Sequence, residues 1–291
     1  MYQKEDIEQL VAQVLAEMAR KPGFGEGADN AALPESPGEA IEDIAAPTLQ
    51  EQFFVPHALN EESYRAMKQH TPARLGVWRA GPRYNTISLL RFRADHATAR
   101  DSVFTDVSDS CIESNGFVAG QSKCIDRDEY VTRPDLGRLL SDEAKSAFKG
   151  KLQPNCKVMI MVGDGLSSAA IEANVSDIIP AIKQGLKSHG IETGPIPFVK
   201  YCRVAAMEDL AELMSPEVVC CLIGERPGLV TSESMSAYIA YKPTIGMPES
   251  KRTVVSNIHK GGTPSVEAGA YIADLIKKML DMKMSGVDLN L

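Results

Sequence analysis

From residue 157 to the C-terminus, short runs of consecutive apolar residues alternate with longer segments whose apolar residues recur every three or four positions. The runs have the length and continuity of strands buried on both faces, and the spaced segments are typical of helices that bury one stripe. This alternation predicts an α/β fold with a mostly parallel sheet and helices on both sides. Strands are predicted at 158–162, 197–204, 218–223, 236–241 and 253–258, and helices at 207–214, at 264–282 and over about twenty residues before Gly190.

Residues 48–155 have a different pattern, which is mainly helical and irregular. One helix is predicted from Asn60 to His70, and another from Thr86 to Ala97. A third is predicted to begin at 132–135, because a proline there suits the first helical position and an aspartate follows in the first turn. The body of the chain is therefore predicted to consist of a mainly helical N-terminal domain at 48–155 and an α/β domain at 156–291.

The first twenty residues carry one apolar stripe, with apolar residues at positions 7, 10, 11, 14, 15 and 18 and acidic residues near the start. This spacing predicts an amphipathic helix at 1–20. Residues 21–47 are rich in Gly, Pro, Ala and Glu and lack periodicity, which predicts a flexible linker. A tethered amphipathic helix has no core of its own, so it binds a partner, folds back on the body or drives self-association.

Composition and charge argue against several classes of function. A formal net charge of −8 has the wrong sign for binding nucleic acid or an anionic membrane, and the apolar runs are too short to span a bilayer. No signal peptide is expected. The six cysteines form no C-x-x-C pair, and Cys220 and Cys221 are neighbours in a predicted strand, where they point to opposite faces. We expect free thiols in a reducing cytoplasm and no zinc site.

A charged pair directly follows the predicted strand at 218–223. Gly224 ends the strand, and Glu225 and Arg226 are enclosed by glycines and a proline. Ligands of open α/β sheets bind past the carboxyl ends of the strands, so this segment is a candidate site. A polar turn that leaves a core strand is an equally good interpretation.

Gly163 and Gly165 follow the first of these strands in a Gly-x-Gly-x-x-Ser pattern that opens a helix, which is the context of a dinucleotide-binding loop. However, Ser168 replaces the third glycine, and the next strand ends without the acid that binds the ribose. A nicotinamide site is therefore a minor alternative, although the helix N-terminus could hold a phosphate or another polar group. The sequence contains no Gly-x-Ser-x-Gly elbow, no Walker lysine and no metal-ligand spacing of histidines, which favours a binding or auxiliary subunit.

Several further blocks occur in a fixed order from about residue 73 to the C-terminus. They are RAGPR at 79–83, LRFRADH at 90–96, TRPDLGR at 132–138, DGLS at 164–167, GERPGL at 224–229, SES at 232–234 and RTVVSNIHKGGTP at 252–264. In these blocks and their spacing the chain resembles the small-subunit family of ethanolamine ammonia-lyase.

The resemblance implies an enzyme that uses adenosylcobalamin to convert ethanolamine to acetaldehyde and ammonia by a radical mechanism. It implies a large subunit with a TIM-barrel fold that holds the substrate, a hetero-oligomer of several large/small pairs, and no catalytic or metal-binding residue in this chain. It also implies a Rossmann-like C-terminal domain that covers the cobalamin at the subunit interface. The N-terminal helix would direct the enzyme into a bacterial microcompartment within the cytoplasm.

The family's cobalamin contacts fall on Val204, Glu225 and Val254 of this sequence. Val204 is predicted to end a strand, Glu225 to follow another and Val254 to lie early in a third, so the three are expected to converge on one edge of the sheet. Relatives can carry cysteine at position 254, so a contact there is expected through the backbone or by packing. A nicotinamide-dependent oxidoreductase and a non-catalytic assembly or scaffold subunit remain the alternatives.

His259 lies in Asn-x-His-x-x-Gly, which differs by one residue from the Asp-x-His-x-x-Gly loop of corrinoid proteins that coordinate cobalt through histidine. The missing carboxylate would orient the ring and raise its basicity. Only about thirty residues follow, too few for the rest of such a domain. We therefore expect His259 to be a loop residue and not a metal ligand.

Overall fold

The structure is a computed structural model that describes residues 43–289, and these residues contain eight α-helices and eight β-strands. The helices are α1 (Glu61–Lys68), α2 (Thr86–Phe104), α3 (Asp109–Ser114), α4 (Arg127–Thr132), α5 (Asp142–Lys151), α6 (Ser168–Ser188), α7 (Ala206–Met214) and α8 (Ser265–Met282). The strands are β1 (Arg79–Ala80), β2 (Arg83–Tyr84), β3 (Val118–Gln121), β4 (Val158–Gly163), β5 (Pro197–Lys200), β6 (Val218–Gly224), β7 (Met235–Tyr241) and β8 (Thr253–Ile258). Short 3-10 helices lie at Leu136–Arg138, Glu249–Lys251 and Gly286–Asp288.

Six strands form one sheet in the order β3-β5-β4-β6-β7-β8, and β1 and β2 form a separate antiparallel pair. The strands β3, β5, β4 and β6 are parallel, whereas β7 is antiparallel to β6 and β8 is antiparallel to β7. The carboxyl ends of β4, β5 and β6 therefore meet at one edge of the sheet. The α/β fold with a mostly parallel sheet is confirmed, with an antiparallel addition on one side.

Helices cover both faces of the sheet and divide its apolar side chains between two cores. All seven residues of β6 are buried, which explains its continuous apolar run. Cys220 contributes to the core beneath α6 and α8, whereas Cys221 contributes to the core beneath α5 and α7. The two neighbouring cysteines are free and point to opposite faces, as predicted.

Most predicted elements are confirmed, and two differ for local reasons. Strand β5 ends at Lys200 and not at Val204, because Tyr201 adopts a left-handed conformation with φ of 57°. Helix α4 ends at Thr132, where the sequence predicts that a helix begins. A residue before proline is kept out of the helical region, and Arg133 has φ of −123° and ψ of 71°.

The segment at 48–155 contains strands as well as helices. It includes the β1–β2 pair and β3, which is an edge strand of the large sheet and pairs in parallel with β5. The chain from Pro47 onward forms one compact unit. The division of the body at residue 155 stays a prediction.

The predicted amphipathic helix at 1–20 lies outside the described residues, as does nearly all of the predicted linker at 21–47. Over residues 43–289, no helix combines the length and the apolar character needed to cross a membrane.

Candidate functional site

Three parallel strands end at polar residues on the same edge of the sheet. Asp164 follows β4, Tyr201 follows β5 and Glu225 follows β6. Asp164 is fully buried and Tyr201 is buried, whereas Glu225 is half-buried. Of these three side chains, the Glu225 carboxylate is therefore the one best placed to meet a ligand.

Both carboxylate oxygens of Glu225 accept hydrogen bonds from serine hydroxyls near the start of β7. Ser234 Oγ donates to Oε2 at 2.9 Å, and Ser236 Oγ donates to Oε1. The main chain is held as well, because the Glu225 N–H donates to the Ser234 carbonyl at 3.0 Å. The two hydroxyls fix the orientation of the carboxylate, and each oxygen keeps a lone pair for a further donor.

The loop between β6 and β7, which begins at Glu225, is anchored on two sides. Ser167 Oγ, ahead of α6, donates to the Ser232 carbonyl at 2.5 Å. On the other side, Arg74 Nη2 donates to the Leu229 carbonyl at 2.8 Å. A loop tied to two separate elements holds Glu225 in a defined position.

Val204 lies in the turn between β5 and α7. The left-handed conformation of Tyr201 starts this turn and is uncommon for a residue with a side chain. The Arg203 N–H donates to the Gly137 carbonyl at 2.8 Å, and the Arg203 guanidinium carbon lies 4.2 Å from the ring centroid of Tyr130. The anchored turn leaves Val204 half-buried against the core beneath α5 and α7.

Val254 lies on β8 opposite Tyr238 of β7, which lies opposite Cys221 of β6. Opposed residues of antiparallel strands point to the same face, and here that is the face of α5 and α7, because Tyr238 packs on that core. Ser236, two residues before Tyr238, lies on this face too. Its hydroxyl donates to the Glu225 carboxylate, which therefore lies at the same face. The register thus places Val254 on the same face as that carboxylate, but further from the carboxyl edge of the sheet.

The β7–β8 side of this face is open to solvent. Val254 is 45% exposed and Tyr238 is half-buried, whereas on the opposite face α8 packs against β6, β7 and β8. Burial, followed by the charge of Glu225, raises the pKa of the Tyr238 hydroxyl, which is therefore protonated at neutral pH. We call the surface formed by Val204, Glu225, Tyr238 and Val254 the open face. That these residues touch a cofactor stays a prediction.

Asp164 belongs to a buried ion-pair network and not to the open face. Its Oδ2 lies 2.9 Å from Arg127 Nη2, which lies 2.6 Å from Asp106 Oδ1. Lys200 Nζ lies 2.7 Å from Asp106 Oδ2. Burial raises the pKa of Asp164 to about 6, and the attraction of Arg127 offsets only part of that effect. The network ties α4 and the segment before α3 to the ends of β4 and β5.

His259 and Cys202 are both engaged in internal bonds. The ring of His259 is held within its own loop, since Nε2 lies 2.8 Å from Asn257 Oδ1 and Nδ1 accepts from the Gly261 N–H at 3.1 Å. This geometry agrees with the prediction that His259 is a loop residue. A hydrogen bond with Cys221, together with burial, raises the pKa of Cys202, so its thiol is not an active nucleophile at neutral pH.

The dinucleotide-like loop before α6 is filled by the chain's own backbone. A Cβ atom at Gly165 would lie 2.5 Å from Ile223 Cγ1 and 2.7 Å from the Gly224 carbonyl oxygen. The Leu166 N–H donates to that same carbonyl at 3.2 Å, and the Ser167 hydroxyl caps α6. Gly165 is therefore explained by the close approach of β6, and this geometry counts against a nicotinamide or phosphate site at this helix end.

Sequence reasoning did not single out Ser236 and Tyr238 as site residues. The available signal was a spacing of two residues within an otherwise apolar strand, since the polar groups at 236 and 238 must share one face. Ser236 and Tyr238 lie near Glu225 only because β7 pairs with β6, the strand that Glu225 follows.

The fold is that of an α/β protein, in which an anchored carboxylate lies beside an open sheet face. A sequence model of the ethanolamine ammonia-lyase light chain matches residues 61–290, and the chain belongs to this family. It is similar to three proteins named ethanolamine ammonia-lyase small subunit. These are from Clostridium perfringens (58% identical over 286 residues, 97% of each chain), Clostridioides difficile (55% over 283 residues, 97% of each chain) and Listeria innocua (52% over 294 residues, 98% of this chain and 99% of the relative).

Proposed function

We propose that this chain is the small subunit of an adenosylcobalamin-dependent ethanolamine ammonia-lyase and that it covers the cofactor at the interface with a large subunit. Membership in the light-chain family supports its place in a lyase. The open face supports the role in cofactor binding. When bound, adenosylcobalamin supplies the radical chemistry, and the large subunit holds the substrate. This chain contributes no acid or base to the reaction.

The anchored carboxylate of Glu225 is the observation that carries the proposal. An ionised carboxylate is only an acceptor, and Ser234 and Ser236 already donate to its two oxygens. The remaining lone pairs suit the N–H donors of the amide side chains on the corrin rim. Each hydrogen bond to a charged group contributes roughly 1.5–3 kcal/mol. Pre-orientation by the serines lowers the entropy lost when those bonds form.

Apolar side chains supply the rest of the contact. Val254 is exposed and Val204 is half-buried, so both can lose water against the flat macrocycle or its base. Covering this face between two subunits excludes solvent from the reacting groups and suppresses side reactions. The work of this chain is to bind, orient and shield.

Cobalamin affinity of the assembled large–small complex tests the proposal. Equilibrium dialysis with Glu225→Ala should give a dissociation constant about 10- to 100-fold higher than wild type, because one or two charge-assisted bonds are lost. Ser236→Ala should give a smaller increase, because it frees the carboxylate without removing it. A corrin analogue with one rim amide hydrolysed to a carboxylate should bind better to Glu225→Gln than to wild type if that amide contacts Glu225.

Glu233→Ala is the matched control, since Glu233 is an exposed acid in the same loop. It should leave the dissociation constant unchanged. Size-exclusion chromatography of each complex separates loss of cobalamin affinity from loss of assembly. An intact Glu225→Ala complex with wild-type affinity would contradict the cofactor contact.

The same proposal extends to assembly and location. We place several large/small pairs in one hetero-oligomer and the enzyme in a bacterial microcompartment, with residues 1–20 as the targeting helix. Deleting residues 1–20 should preserve activity and reduce encapsulation, whereas loss of activity would favour a structural role. We also propose that residues 156–291 form a Rossmann-like domain behind a mainly helical region at 48–155, which the alternation of β4 to α8 supports.

A further inference from the structure

A largely apolar cavity lies in the N-terminal part of the body and shares no residue with the open face. It encloses about 610 Å³ of empty space, part of it open to solvent. Its walls come from the segment before α1, from α1 itself, from the segment before β1, from β2 and from α2. The apolar part of the lining consists of Leu49, Phe54, Leu75, Val77, Tyr84 and Phe92.

A buried lysine lines this cavity. Lys68, the last residue of α1, is only 3% exposed, and its Nζ donates to the Leu75 carbonyl at 2.7 Å. An ammonium group has three donors, so two remain for a ligand. Among residues 43–289, no carboxylate forms an ion pair with Lys68, and burial, followed by the charge of Arg65, lowers the pKa of its ammonium.

Two arginines at the cavity are engaged with a carboxylate, unlike Lys68. Arg74 and Arg91 both pair with the single carboxylate of Asp95, at 2.7 and 3.0 Å. The Lys68 ammonium is buried without a carboxylate partner among residues 43–289, which is costly, so an anion in the cavity would offset that cost.

We propose that this cavity binds a free monocarboxylate that carries an apolar body, with the carboxylate at Lys68 and the body against the apolar walls. One ammonium with two unused donors matches one carboxylate better than a phosphate, which takes several donors. The apolar lining selects for a hydrocarbon body. The cavity shares no residue with the open face, so its binding test does not depend on the cobalamin proposal.

The only tryptophan of the chain provides a local reporter. Trp78 follows the cavity residue Val77, and its backbone N–H donates to Oγ of Ser88, another cavity residue, at 3.2 Å. Tryptophan fluorescence of the full chain is titrated with hexanoate, 1-hexanol and hexylamine, which share one hydrocarbon body. We expect hexanoate to bind most tightly and hexylamine most weakly.

Lys68→Met keeps the apolar stem and removes the charge, so it should weaken hexanoate roughly tenfold or more and remove the preference over hexanol. Lys149→Met, at an exposed lysine of α5, is the matched control and should bind as wild type does. Leu49→Phe narrows the cavity and should weaken hexanoate and hexanol alike. Circular dichroism checks that each variant is folded.

Equal affinity for hexanoate and hexanol in the wild type, or unchanged hexanoate binding in folded Lys68→Met, would overturn the proposal. Equilibrium dialysis of labelled hexanoate against the complete large–small complex tests whether the cavity takes a free carboxylate or is filled by the large subunit. Binding to the complex supports a free ligand. If hexanoate binds the isolated chain but not the complex, the proposal is overturned, because the large subunit would then fill the cavity.

Discussion

Arg127 Nη2 lies 2.9 Å from Asp164 Oδ2, and both side chains are buried at the carboxyl edge of the sheet. The same guanidinium also binds Asp106 and the Gly165 carbonyl. One side chain therefore joins α4 to the end of β4 through several charge-assisted bonds. The arrangement leaves a titratable carboxyl group in an environment that disfavours its charge.

Asp164 should make the stability of the protein fall as pH rises from about 4 to about 6. Burial raises its pKa from 3.8 to about 6, so the folded protein holds this proton more tightly than the unfolded chain. The contribution is fully present below the unfolded pKa and is lost as pH rises through the folded pKa. It amounts to about 3 kcal/mol. Asp164→Asn should remove it from the pH profile of urea unfolding.

The test uses the difference between wild type and Asp164→Asn, because other groups titrate in the same range. Asp106, for example, has a lowered pKa and acts in the opposite direction. Asp177→Asn, at an exposed position of α6, controls for the loss of a negative charge. Parallel pH profiles for wild type and Asp164→Asn would show that this carboxyl is ionised throughout the range.

Gly224→Ala should destabilise the protein by about 3 kcal/mol or more, since overpacking against backbone cannot relax easily. An added Cβ would overlap the carbonyl group of Ser167, where the end of β6 meets the start of α6. Gly150→Ala is the matched control, because its added Cβ meets nothing within 4 Å in α5. That change should raise stability by about 0.5–1 kcal/mol. Urea unfolding measures both, and equal effects would contradict the close approach.

Arg252→Met should destabilise the protein by about 3–5 kcal/mol, because it leaves the Glu208 carboxylate buried without its cation. The Arg252 and Glu208 side chains are 2% and 7% exposed and form an ion pair. Adding Glu208→Gln should recover part of the loss, since the remaining group is then neutral. Thermal and urea unfolding of the single and double variants measure the coupling.

Lys251→Met tests whether burial decides the size of that effect. The neighbouring Lys251 pairs with Asp288, and both side chains are about half exposed. A solvent-exposed pair of this kind contributes about 0–1 kcal/mol. A loss at Lys251 as large as that at Arg252 would contradict the role assigned to burial.

The strands of the large sheet were predictable where each has a strong pattern of its own. β4, β6 and β7 are runs in which most residues are buried, and a buried strand needs apolar residues on both faces. β3 was missed, because only Val118 of its four residues is buried and the run is too short to show a period. Its position depends on pairing with β5, a partner far along the chain.

The candidate site was predictable in part. Glu225 could be placed after a strand end from local pattern, and family resemblance added Val204 and Val254. The position of Val204 in a turn depended on the left-handed conformation of Tyr201, for which a tyrosine gives no signal.

By itself the sequence determined the α/β class, the free cysteines on opposite faces of β6 and the resemblance that the comparisons confirmed as family membership. These depend on local periodicity and on motifs that can be recognised along the chain. Only the tertiary structure decided that two serines hold Glu225, that β6 fills the glycine loop before α6 and that Lys68 lines a cavity. Each of these depends on strand register or helix packing between residues that are far apart in the sequence. No local pattern along the chain encodes such contacts.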